Sequence, residues 1–258
     1  MTKLVFLLAG GDDAAAPTLR DALLADDLRD ELAAVGATRL HVNVDDGDVA
    51  AAMRIASPTG PVRAVVSVWA ELSAQVGAEV APVLDALAAA LSGTGVSLGG
   101  YEVEERRPLE PPSVPDGVRT DALANVAVLR RPEDLDEAEW RHRWLVDHTP
   151  VAIETQGTFG YVQNVVLAPV TTDAPYVSAV VEELFPMAAT TDLHAFYGSG
   201  GDDAELRSRM ERMMASVSRF GADRGLDLVP SSRYCWSLER RDRRAIAYDG
   251  ARTRRTQS

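Results

Sequence analysis

The chain has 258 residues, 46% hydrophobic and 25% charged, a globular composition with enough apolar side chains for a substantial core. A formal net charge of −13 at pH 7 argues against non-specific affinity for nucleic acid or an anionic membrane. One cysteine, Cys235, excludes an intrachain disulfide and fits a reducing compartment, and no Cys/His cluster has metal-ligand spacing.

Lys3 and the apolar run behind it are too short, and too soon followed by acids, for a secretory leader; a buried first strand over 4–9 explains them better. No run approaches the roughly 20 apolar residues that span a bilayer, so the expectation is a cytoplasmic protein. Gly10 to Asp13 turns the chain. A helix opens at Pro17, carries Leu19, Leu23, Leu28, Leu32 and Val35 at helical spacing, and stops at Gly36. Residues 39–44 alternate as a half-polar strand, and 62–69 form a third strand. A second helix starts near Pro82, carries Val83, Leu84, Leu87 and Leu91, and ends at Gly93 and Gly95. Residues 96–104 make the last strand. The order β-α-β-β-α-β is the ferredoxin-like unit.

Residues 108–118 hold four of the fourteen prolines and read as a linker between a first repeat over 1–107 and a second over 119–238. The second repeat shows strands at 125–129, 159–166 and 176–185. A long helix follows with Leu206, Met210, Met213, Met214, Val217 and Phe220 on one face, and a closing strand covers 233–238. The offset between the repeats is about 120 residues, laying His41 over Tyr161. From Glu239 the tail carries seven arginines against three acids and is expected to be partly disordered, beyond about Tyr248. The fold class is α+β: two fused ferredoxin-like repeats whose antiparallel sheets face each other as a barrel with helices outside. On that alignment His41 and Asn43 point inward, with Tyr161 and Gln163 in matching phase, and polar inward side chains suit a chamber between the sheets.

Residues 136–150 carry the clearest chemical signal. Trp140, Trp144 and His148 recur every four residues and share one side of a helix. Asp136 and Glu139 read as a capping box, and Pro150 as the stop. At a helix C-terminus, unpaired carbonyls would hold some charge on His148. Buried aromatics and a capping histidine explain the same pattern without chemistry.

The second repeat resembles an EthD domain, a family of the dimeric α/β barrel superfamily. The resemblance rests on Trp140, Trp144, His148 and Pro150, on Tyr161 to Asn164, and on Glu183 to Phe185. The corresponding helix of the first repeat, around residues 20–28, has no Trp and no His, so that repeat looks like a degenerate partner, leaving one complete site. The resemblance implies small-molecule chemistry: cyclases, dehydratases, isomerases and small monooxygenases share the superfamily, and fold alone does not choose among them. His148 is the candidate general acid/base, Tyr161 and Asn164 are candidate donors to a carbonyl or enolate, and Glu183 can share the proton transfer. Strict alternation puts Tyr161 and Asn164 on opposite faces, so one pocket holds both only across a bulge. Trp140, Trp144, Gln163, His41, Asn43, His194 and Tyr197 are candidate substrate contacts, His194 in a loop where a solvated ring is the simpler reading.

The expected function is cofactor-independent proton transfer (isomerisation, cyclisation or dehydration) on a hydrophobic carbonyl compound. The alternatives are a non-catalytic small-molecule-binding or accessory protein and a monooxygenase-type enzyme. No metal, cofactor, nucleic acid or membrane is expected; a homodimer is compatible with the fold.

Overall fold

A computed structural model describes residues 1–11, 16–56, 60–71 and 80–238. The basic tail, and with it the expectation of disorder there, lies outside them, as do Asp12 and Asp13 of the first turn. The strands are β1 (Thr2–Gly10), β2 (Ala37–Val44), β3 (Val62–Ala70), β4 (Val96–Leu109), β5 (Leu123–Leu129), β6 (Gly160–Pro169), β7 (Ala179–Phe185) and β8 (Asp227–Ser237). They close an antiparallel barrel in the order β1-β3-β2-β8-β5-β7-β6-β4. Each repeat keeps its ferredoxin-like order, β4-β1-β3-β2 and β8-β5-β7-β6. Hydrogen bonds of β2 to β8 and of β4 to β6 join the two, so neither sheet has a free edge. The sheets therefore merge at both sides as well as facing each other.

The first repeat places α1 (Ala16–Leu24), α2 (Asp26–Ala34) and α3 (Ala81–Ala90) outside its sheet. The expected single helix breaks at Ala25, whose extended backbone separates α1 from α2. Leu19, Leu23, Leu28 and Leu32 pack with Val83 and Leu87 on Leu4, Phe6, Leu40 and Val42. β4 runs on through Pro108 to Leu109, pairing with β6 across two register shifts.

Side-chain phase in the second repeat differs from the expectation. Val165 and Tyr161 pack with Trp140 and Trp144 under the helices, and the Gln163 amide donates to Thr149 Oγ1 on the helical layer at 2.8 Å. Val162, opposite Glu182, and Asn164 two residues on take the inward phase that His41 and Asn43 take on β2. A one-residue slip in aligning the repeats reverses every side chain, which is why Tyr161 and Gln163 face the helices. The space between the sheets also differs from the expected chamber. Val5, Leu7, Val65, Val103, Val126 and Val128 fill much of it. Farther along, buried ion pairs occupy it: Arg233 to Glu182 at 2.7 Å and Lys3 to Glu105 at 2.7 Å, with Asn43 donating to Glu182 at 3.0 Å and to Ser231 at 3.2 Å. A cavity of about 240 Å³ remains at this polar mouth, beneath residues 110–114.

Outside the second sheet lie a long helical run, α4 (residues 137–155), then α5 (Leu193–Tyr197) and α6 (Asp203–Phe220). Among the described residues no helix is long and apolar enough to cross a membrane.

Candidate active site

The run α4 has three parts: an α-helix over Glu137–His142, a π-helical stretch over Arg143–His148, and a second α-helix over Thr149–Thr155. Asp136 caps it, accepting from the amides of Ala138 at 2.9 Å and Glu139 at 3.3 Å. The Glu139 carboxylate accepts from Arg143 Nε at 2.6 Å instead of reaching back to complete the box. Pro150 does not stop the helix. A proline in a regular helix lacks one N–H and strikes the carbonyl four residues back; the widened π turn just ahead of it relieves both problems. Thr149 Oγ1 donates to the Trp144 carbonyl, five residues back, at 3.2 Å.

His148 therefore sits inside a continuous helix and not at its end, and the expected cationic character fails. Burial lowers its pKa to about 4, so the ring is neutral at pH 7. Nδ1 lies 2.9 Å from Ser216 Oγ on α6, and the ring packs on Phe220 at 4.7 Å between centroids. Nε2 has no hydrogen-bond partner among the described residues. A serine hydroxyl can donate or accept, so either imidazole tautomer is open to the ring.

His148 borders a cavity of about 360 Å³ between the outer face of the second sheet and its helices. Trp144, Tyr161, Glu183 and Tyr197 line the same cavity. The floor is set by register: Tyr161 on β6 is opposite Glu183 on β7, which is opposite Asn125 on β5. These three polar side chains form one row across adjacent strands on the helix-facing side. Burial raises the Glu183 pKa to about 8, leaving the carboxyl mostly protonated at neutral pH. Oriented to satisfy its neighbours, the Gln156 amide donates to Glu183 Oε1 at 3.0 Å and to the Ala152 carbonyl at 3.3 Å. Burial, and then the Glu183 charge, pushes the Tyr161 phenol above its ordinary range, so it stays a neutral donor. Asn125 Oδ1 is buried with no hydrogen-bond partner. The walls are apolar: Met213, Val217 and Phe220 of α6, Phe196 of α5, and Leu226.

The other expected site residues lie elsewhere. Trp140 stacks behind Trp144, 5.1 Å between centroids, and serves the core. Gln163 is engaged with Thr149. Asn164 points into the barrel and donates to the Val180 carbonyl at 2.9 Å, so it does not share a pocket with Tyr161; β6 carries no bulge between them against β7. Asn43 belongs to the Glu182 cluster. His41 lies at the polar mouth, where burial and then Arg233 and Lys3 press its pKa to about 2. His194 sits on α5, not in a loop, 2.7 Å from Ser199 and 3.3 Å from Asp203, and does not border the cavity. Asn125 and Gln156 escaped the sequence reading. Asn125 is the one polar residue in the otherwise apolar β5, the signal that could have marked it; nothing local marks Gln156. Among the described residues no group of three or more His, Cys, Asp or Glu side chains could hold a metal ion.

No known family model matches the sequence, and no curated protein does. The fold is similar to that of an anthrone oxidase-like protein, 10% identical with a TM-score of 0.59, over 93% of this chain and 94% of that one. A mutant chlorite dismutase from Candidatus Nitrospira defluvii is 11% identical with a TM-score of 0.47, over 90% of each chain. An encapsulated DyP-type peroxidase from Mycobacterium smegmatis is 12% identical with a TM-score of 0.43, over 92% of each chain. At such identities the likeness is one of fold.

Proposed function

Starting from a dimeric α/β barrel closed within one chain, we propose that the cavity beneath α4 and α6 is the active site of an EthD-like enzyme that moves a proton on a hydrophobic carbonyl compound. The observation that carries this reading is the pairing of a neutral imidazole with a protonated carboxyl in one apolar cavity. Environments that push two titrating groups in opposite directions assign a base and an acid.

His148, neutral above about pH 4, accepts a proton from the carbon next to the substrate carbonyl. Glu183, protonated below about pH 8, donates a hydrogen bond or a proton to the carbonyl oxygen as negative charge builds there. Tyr161 and the Asn125 amide add donors along the same row, and against apolar walls such donors act more strongly than in bulk water. The imidazolium then returns the proton to another carbon, giving isomerisation, or to a leaving hydroxyl, giving dehydration. An imidazole of pKa about 4 is a weak base, which directs the choice of substrate. It suits C–H bonds activated twice, for example between a ketone and an aromatic ring.

The test is deuterium exchange into β-tetralone, whose benzylic position has that double activation, followed by NMR. Exchange beyond the buffer rate is expected to rise with pH through about 4 and fall through about 8. His148→Gln is expected to lose about 100-fold or more of the rate while folding normally. Exchange unchanged in that variant would refute the assignment.

A further inference from the structure

The first repeat fills much of the space between its described helices and its sheet with leucines. It also supplies part of the cavity of the second. After β2, the segment through residue 55 crosses to β8, where Ile55 and Leu228 exchange backbone hydrogen bonds of 3.1 and 2.8 Å. Arg54 folds the segment on itself, donating to Asp45 at 2.8 and 2.5 Å and to the carbonyls of Ala50 and Ala52 at 2.9 and 2.7 Å. This places Met53 and Ile55 on the cavity, which Met214 of α6 also lines.

All three are exposed, Met53 by 65%, Met214 by 51% and Ile55 by 40%. Single exposed apolar residues need no explanation, but three bordering one cavity, one of them held by a backbone bridge between the two repeats, give it an apolar rim. The cavity therefore has two ends. Its polar row lies on β6, β7 and β5; its apolar side follows β8 to the Ile55 bridge. Strands are spaced about 4.8 Å apart, so the apolar side extends about 10 Å from β5.

Building on the proton-transfer reading, we infer that the substrate is an elongated amphipathic carbonyl compound. Its polar head binds at Asn125, Glu183 and Tyr161, and its hydrocarbon tail lies between Met53, Ile55 and Met214. The first repeat is then a specificity element for the second.

The probes are β-tetralones with no chain, a butyl chain or an octyl chain on the ring carbon remote from the ketone, with binding measured by calorimetry. Each methylene covered by the rim is expected to tighten binding about two- to fourfold. In a Met53→Gln, Met214→Gln double variant the ratio of octyl to chainless affinity is expected to collapse. Both residues are exposed, so the fold is not at issue. An octyl compound that binds no better than the chainless one, or a ratio that survives the double variant, would overturn the inference. Chain-dependent binding without proton exchange would keep the rim and sink the proton-transfer reading; exchange without chain dependence would do the reverse.

Discussion

Glu183→Gln exchanges an ionisable carboxyl for an amide of the same shape, and the cavity sets its consequence. Folding moves the carboxyl from its ordinary 4.5 to about 8, because burial penalises the anion. Between those values the folded chain keeps a proton that the unfolded chain releases. The contribution to stability is therefore fully present below pH 4.5 and is lost as pH rises toward about 8. At about 1.4 kcal/mol per pH unit the full loss is on the order of 5 kcal/mol. Glu183 borders a cavity that admits solvent and accepts a hydrogen bond from Gln156, both of which ease ionisation, so about 2–3 kcal/mol is the working expectation. Urea unfolding of both proteins at pH 5 and pH 8.5 checks this. Wild type should lose about 2–3 kcal/mol more than the variant between the two conditions, and the two should be nearly equal at pH 5. Equal losses in both proteins would refute the claim that Glu183 is held protonated.

Two further outcomes follow from the packing. Arg233→Met strands the Glu182 carboxylate inside the barrel and is expected to destabilise by about 3–5 kcal/mol, with much of that recovered when Glu182 is also replaced by Met; a single variant as stable as wild type in thermal unfolding would contradict a buried ion pair. Gly157→Ala would put a methyl group against the Ala195 carbonyl, a backbone atom that cannot move aside cheaply, and is expected to cost roughly 2 kcal/mol and to disturb the Phe196 and Tyr197 wall. Unchanged thermal unfolding would show that the wall yields.

The repeat and its barrel were legible because each strand carries its own signature. Leu4 to Ala9 is apolar on both faces, and Arg39 to Val44 alternates, as strands buried on two sides or one must. The Trp140, Trp144 and His148 spacing likewise survived into the structure, since a helix keeps residues four apart in line. The inward set was not legible. His41 and Tyr161 look equivalent along the chain, but the spacing between repeats does not fix parity, and a shift of one residue moves Tyr161 from the barrel to the helices. Pro150 misled for a related reason: a local rule marks helix stops, and a π turn that accommodates a proline leaves no simple trace in composition.

What this sequence determined by itself is the strands, the main helical segments, their order and their duplication, because strand and helix periodicity are local properties of neighbouring residues. What tertiary structure decided is the location and chemistry of the cavity. Asn125, His148, Glu183 and Gln156 come from separate elements, and only register across β5, β7 and β6 sets Asn125, Glu183 and Tyr161 in one row. The protonation states of His148 and Glu183 follow from how much water the fold removes around them, a quantity that depends on every neighbour and not on the residues beside them in the chain.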